Sequence, residues 1–205
     1  MLSKNNKLKT SLKGFTVIEL LVIVAVMSFM GASMLANQRQ GERRKSITGA
    51  AQEAVTVLRR AQTAALAGET YQGCPTAAFL VSFNTSETGN GLYRICAVLP
   101  SEINNPPSFL GCANNRIVEE IQLPRNVIVG RIAIRNSTGC SFTKPDASSI
   151  IFSAPYGDIR IIASDGEDFS HCNVAVSFVN RTSSYFGTSD VWIYSQSGKF
   201  DIQTF

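Results

Sequence analysis

Residues 1–67 contain no cysteine and no proline; all five cysteines and all seven prolines lie after residue 68. Nothing in the front stretch removes a backbone donor or clashes with a preceding turn, so a single unbroken helix is allowed there. Charge is scarce too, at 17% of residues against 44% hydrophobic, which excludes a disordered chain. His171 is the only histidine and no Cys-x-x-Cys pair exists, which argues against a zinc site. Residues 1–14 lack any acid but carry Lys4, Lys7, Lys9 and Lys13, a local charge equal to the +4 of the whole chain. The remaining 15 basic and 15 acidic side chains cancel, and a general nucleic-acid-binding character loses its main support.

What is present in the front stretch is a run of apolar residues from Phe15 to Ala36 in which Glu19 is the only charge. As a helix it is roughly 33 Å long at about 1.5 Å per residue, enough to cross a bilayer. The lysines before it orient the N-terminus toward the cytoplasm and place the remainder outside. A secretory signal peptide is the bland alternative, but its apolar core is shorter and a small-residue cleavage pattern follows it. Glu19 is the informative residue, because an isolated carboxylate in a membrane helix is costly unless it reaches the interface or meets a cation. Within the apolar run there is no cation.

The string Lys13-Gly14-Phe15-Thr16-Val17-Ile18-Glu19-Leu20 closely resembles the prepilin leader of type IV pilins and type II secretion pseudopilins. The resemblance implies that a prepilin peptidase cuts between Gly14 and Phe15 and methylates the new amino group of Phe15. It also implies a counter-charge for Glu19: the Phe15 ammonium of one subunit pairs with the Glu19 carboxylate of a neighbour and fixes their register. Gly14 suits a cut site because the absence of a side chain lets a protease approach the backbone.

Beyond the apolar run, Ile47, Ala51, Ala54, Val55, Leu58, Ala61 and Ala65 recur at spacings of three and four, one face of an amphipathic helix. This predicts a helix from Phe15 to about Ala67, closed by Gly68 with Pro75 shortly after. Its alanine-rich face is shallow and suits a sheet. Ser28, Ala32 and Ala36 recur every four residues and offer a close-packing seam. Arg39, Arg43, Arg44 and Lys45 form a basic cluster that either faces solvent and lipid headgroups or pairs with acidic heads of adjacent subunits, since residues 68–205 hold nine basic and twelve acidic groups.

From residue 75 onward short β-prone runs alternate with turns: 78–83 and 92–99 as a hairpin, then 116–123, 126–134, 149–152, 158–163, 173–180, 190–194 and 199–203. The fold class expected is α+β, a long helix packed on a mostly antiparallel head. Three parts follow: a basic leader over 1–14, the helix over 15–67 with its membrane-spanning part over 15–36, and the head over 68–205. The run Ile150-Ile151-Phe152 with Gly157, followed by Val191-Trp192-Ile193-Tyr194 and Ser197-Gly198-Lys199, resembles the C-terminal pattern of GspH/FimT-type minor pilins. Outside the membrane, thiols pair. The expected disulfides are Cys140 with Cys172 and Cys96 with Cys112, leaving Cys74 unpaired.

Asp165-Gly166-Glu167-Asp168-Phe169-Ser170-His171 gathers three carboxylates and the only imidazole. It supplies no oriented nucleophile, so no catalytic residue is expected, and its spacing is not that of an EF-hand calcium loop. Some FimT-like minor pilins bind DNA through a Gly-Arg-x-Arg motif; here Gly198-Lys199-Phe200-Asp201 stands instead, with an acid in the second arginine's place. Arg125, Arg131 and Arg135 share parity and offer a second patch if one strand carries all three. The expected role is a structural subunit of a pilus or type II secretion pseudopilus, held in the inner membrane and then assembled into an extracytoplasmic filament. Its partners would be other pilins, prepilin peptidase, the inner-membrane assembly platform and membrane lipid. No cofactor or metal is expected. A DNA-binding minor pilin for natural transformation, or an adhesive pilus-tip subunit, is the alternative.

Overall fold

The computed structural model describes residues 16–84, 92–100, 116–135, 141–144, 147–163, 168–182 and 187–205. Helix α1 spans Val17–Ala67, 51 residues without a break, as the absence of proline allows. The chain divides into two units, Met1–Gly41 and Glu42–Phe205, so the division falls inside α1 rather than at its end. In the first unit, α1 shows apolar side chains on every side, among them Ile18, Leu21, Val24, Phe29, Met30 and Leu35, all exposed. This stretch is long and apolar enough to cross a membrane.

In the second unit α1 becomes amphipathic. Ile47, Ala51, Ala54, Leu58, Ala61 and Ala65 are buried at the expected spacing, with Ala50, Val57 and Ala64 widening the stripe. Gly68 closes the helix at φ +62°, its amide donating to the Ala65 carbonyl at 3.1 Å and the Glu69 amide to Ala64 at 3.1 Å. These two bonds form a Schellman cap and satisfy carbonyls that the helix end leaves open.

Strands β1 (Thr70–Tyr71) and β2 (Cys74–Pro75) pair antiparallel around Gln72 and Gly73. Both turn residues have positive φ, 50° and 78°, as a two-residue hairpin requires. The pair was not apparent from the sequence, which reads there only as a helix exit.

Ten further strands make two five-stranded antiparallel sheets. The first contains β3 (Ala78–Asn84), β4 (Leu92–Val98), β5 (Ile117–Gln122), β8 (Ala147–Ser153) and β9 (Asp158–Ala163), in the order β5-β4-β3-β8-β9. The second contains β6 (Val127–Arg135), β7 (Ser141–Lys144), β10 (Asn173–Asn180), β11 (Thr188–Tyr194) and β12 (Lys199–Thr204), in the order β12-β11-β10-β6-β7. Each sheet is therefore assembled from two separate stretches of chain. The α+β class and the nine expected strands are present within a residue or two; β7 is additional, pairing Ser141–Lys144 against Ile132–Arg135.

One face of each sheet contributes to a single core with α1. Phe79, Val81, Phe83, Tyr93, Ile95, Ile150, Phe152 and Ile161 come from the first sheet, and Val129, Ile132, Val174, Val176, Phe178, Val191 and Ile193 from the second. Phe83 and Tyr93 stack at 5.4 Å, and Phe178 meets Phe83 edge-on at 6.5 Å. The opposite face of the first sheet carries a smaller buried cluster of Ala78, Leu80, Cys96, Val98 and Ile151.

Candidate functional site

Thr16 caps α1: its carbonyl accepts from the Glu19 and Leu20 amides at 3.1 and 3.2 Å, and its Oγ1 accepts from the Glu19 amide at 3.3 Å. Thr16-Val17-Ile18-Glu19 thus has the spacing of a capping box, a signal present in the sequence but not read there. Glu19 stands in the first turn, where a carboxylate faces the positive end of the helix dipole. It is exposed, between exposed Val17, Ile18, Leu20 and Leu21. Gly14 and Phe15 lie outside the described residues. Up to Ala36, then, one negative group sits at the first turn of a helix whose other side chains are uncharged and mostly apolar.

Farther along the helix, the Ser28 hydroxyl donates to the Val24 carbonyl and the Ser33 hydroxyl to Met30, each at 2.8 Å. Both polar groups are satisfied inside the helix and leave small side chains outward. Ser28 and Ala32 of the expected seam are exposed. Arg43, Arg44 and Lys45 are exposed on α1 in the second unit.

The cysteines divide in two groups. Cys96 and Cys172 are disulfide-bonded, whereas Cys74 is a free, exposed thiol on the small β1–β2 hairpin. The expected partners Cys112 and Cys140 lie outside the described residues.

The expected arginine patch is not continuous. Arg131 pairs with Ser177 and Arg135 with Asn173, an even interval, but the ladder shifts register between Ser177 and Phe178. The extra residue there is Gly130, and it reverses the parity: Val127 and Val129 point inward before the bulge, Ile132 after it. Arg125 precedes β6 in the turn at Asn126, so the strand does not carry all three arginines. In the row of backbone partners that starts at Arg131, Ser177 is followed by Asp190, and in the row that starts at Ala133, Ala175 and Trp192 are followed by Asp201, so acids interrupt the basic face. Lys199 is exposed at the start of β12, immediately after the tight turn at Gly198.

In the acidic stretch, Asp165, Gly166 and Glu167 lie outside the described residues. Asp168 is engaged: Arg160 Nη2 donates to its Oδ2 at 3.0 Å, the Ser170 amide donates to its Oδ1 at 2.9 Å, and the Ser170 hydroxyl donates to Oδ1 as well. Burial alone would raise the Asp168 pKa, but the Ser170 and Arg160 hydrogen bonds outweigh it and hold the carboxyl below the usual range. Its oxygens thus tie β9 to the following turn, and His171 beside it is exposed. Among the described residues, no three His, Cys, Asp or Glu side chains converge.

No family model, no curated protein and no solved structure matches the chain.

Proposed function

We propose that the chain is a minor type IV pilin or pseudopilin, a structural subunit cut between Gly14 and Phe15, methylated at Phe15 and assembled into a filament from the inner membrane. The observation that carries the reading is Glu19: the one carboxylate of an apolar helix end, five places after the Gly14–Phe15 bond, with no cation among its neighbours on the helix. A carboxylate in hydrocarbon needs a positive partner. A free amino group at Phe15 of an adjacent copy supplies one. The unbroken α1 and its β-rich second unit suit a spine-and-head subunit, and the disulfide-bonded Cys96 and Cys172 suit a head delivered to an oxidising compartment.

Two measurements test this. Mass spectrometry of the membrane form is expected to find a chain beginning at methylated Phe15; an intact Met1 in cells with active prepilin peptidase overturns the reading. Glu19→Ala is expected to leave cleavage unchanged and to abolish incorporation into the filament. Normal assembly of that variant removes the intersubunit charge pair.

A further inference from the structure

The second unit contains a cleft of about 190 Å³ between α1 and the free ends of β11 and β12. Arg44 and Thr48 line it from the helix, Thr188 and Ser189 from β11, and Thr204 from β12, with buried Ile47 as an apolar wall and Gly187 and Phe205 at its edge. We infer that this cleft binds a phosphoryl group, and no role proposed above uses it.

The donor set of the cleft suits a phosphoryl group. A guanidinium presents a planar fork of N–H donors that matches two oxygens of a phosphate, and hydroxyls supply donors for the remaining oxygens. Ser189, fully buried, and Thr204 lie side by side with their hydroxyl oxygens 3.2 Å apart. With Ser189 donating to Thr204, the exposed Thr204 hydroxyl keeps its own hydrogen for an incoming acceptor. Among the described residues, no carboxylate forms an ion pair with Arg44. A carboxylate ligand would use only part of this donor set, whereas a phosphoryl group has oxygens for the arginine and the hydroxyls together. Two sources share that chemistry. One is a free phosphate. The other is the headgroup of a phospholipid, since Arg44 follows the apolar run ending at Ala36 by eight residues in sequence.

The full chain, isotopically labelled in maltoside micelles that contain no phosphate, provides the test. Backbone amide shifts of Thr48, Gly187, Thr188 and Ser189 are followed during separate titrations with inorganic phosphate and with phosphatidylglycerol. Saturable shifts confined to these residues are expected. Saturation by both ligands, or by one alone, supports the site and identifies its source. Arg44→Gln is expected to weaken the binding at least about tenfold, while Lys45→Gln, which removes the same charge beside the cleft, changes it less than about twofold. Thr204→Val, with charge unchanged, is expected to weaken it several-fold. Absence of saturable shifts with either ligand overturns the inference, as does an equal loss in the two charge variants, which indicates diffuse attraction. Because processing at Phe15 is read by mass on the same samples, failure of the cleft and failure of the pilin proposal are distinguishable.

Discussion

Tyr93 is fully buried in the core, yet among the described residues its hydroxyl has no hydrogen-bond partner. Burial, then the charges of Glu53 and Glu119, push its pKa well above the ordinary phenol value of 10. Removing an unpaired buried hydroxyl while keeping the ring and its stack on Phe83 relieves a desolvation cost, so Tyr93→Phe is expected to be neutral or to stabilise by about 1 kcal/mol in denaturant melts. The sign with pH also follows. Above pH 10 the unfolded phenol ionises while the folded one does not, so the wild type loses stability there, and Tyr93→Phe is expected to lose less. Asp168 has the opposite sense. Its lowered pKa means stability that is present above the carboxylate's ordinary 3.8 and lost as pH falls through the folded value. The pair with Arg160 is half exposed, so Asp168→Asn is expected to cost at most about 1 kcal/mol at neutral pH and nothing in strong acid. Tyr93 did not stand out in the sequence, and the acidic stretch drew attention to Asp168 without revealing Arg160, because what distinguishes both is their neighbours on other strands. Glu19 did, because its neighbours in the chain are what make it unusual.

At the level of elements, period and punctuation made most of the molecule legible. The spacing of Ile47, Leu58 and Ala65 identifies the buried stripe of α1, and Gly68 marks its end. Gly68→Ala places a Cβ at φ +62° and is expected to cost about 1 kcal/mol in a thermal or denaturant melt. The β1–β2 hairpin and β7 escaped because two- and four-residue strands are too short to show a period. The bulge in β6 escaped for a different reason: alternation assumes one residue per step, and Gly130 breaks the count only against its partner strand. A Cβ at Gly130 would lie 2.4 Å from Val179 Cγ2. Gly130→Ala is therefore expected to destabilise by about 1–3 kcal/mol, and Val179→Ala in the same chain is expected to recover part of that loss, a non-additivity measurable by a double-mutant cycle.

Across the whole chain, the state of the thiols offers a simple check. With Cys96 and Cys172 in disulfides and Cys74 exposed, a thiol reagent applied to the native, unreduced protein is expected to label Cys74, and Cys74→Ser is expected to abolish that labelling. Larger relationships were the least legible from sequence. Which strands neighbour one another depends on contacts far apart along the chain, and nothing in the run 147–153 says that it will lie beside 78–84. Both sheets close late for this reason. The chain lays down β3, β4 and β5, leaves for β6 and β7, returns with β8 and β9, and completes the second sheet with β10, β11 and β12. A polypeptide emerging N-terminus first, halted after residue 163, would carry β6 with its principal flank unzipped and the apolar stripe of α1 only partly covered. Such a nascent chain is a substrate for holdases and proteases, and quality control acting on the emerging product would sense its last forty residues above all.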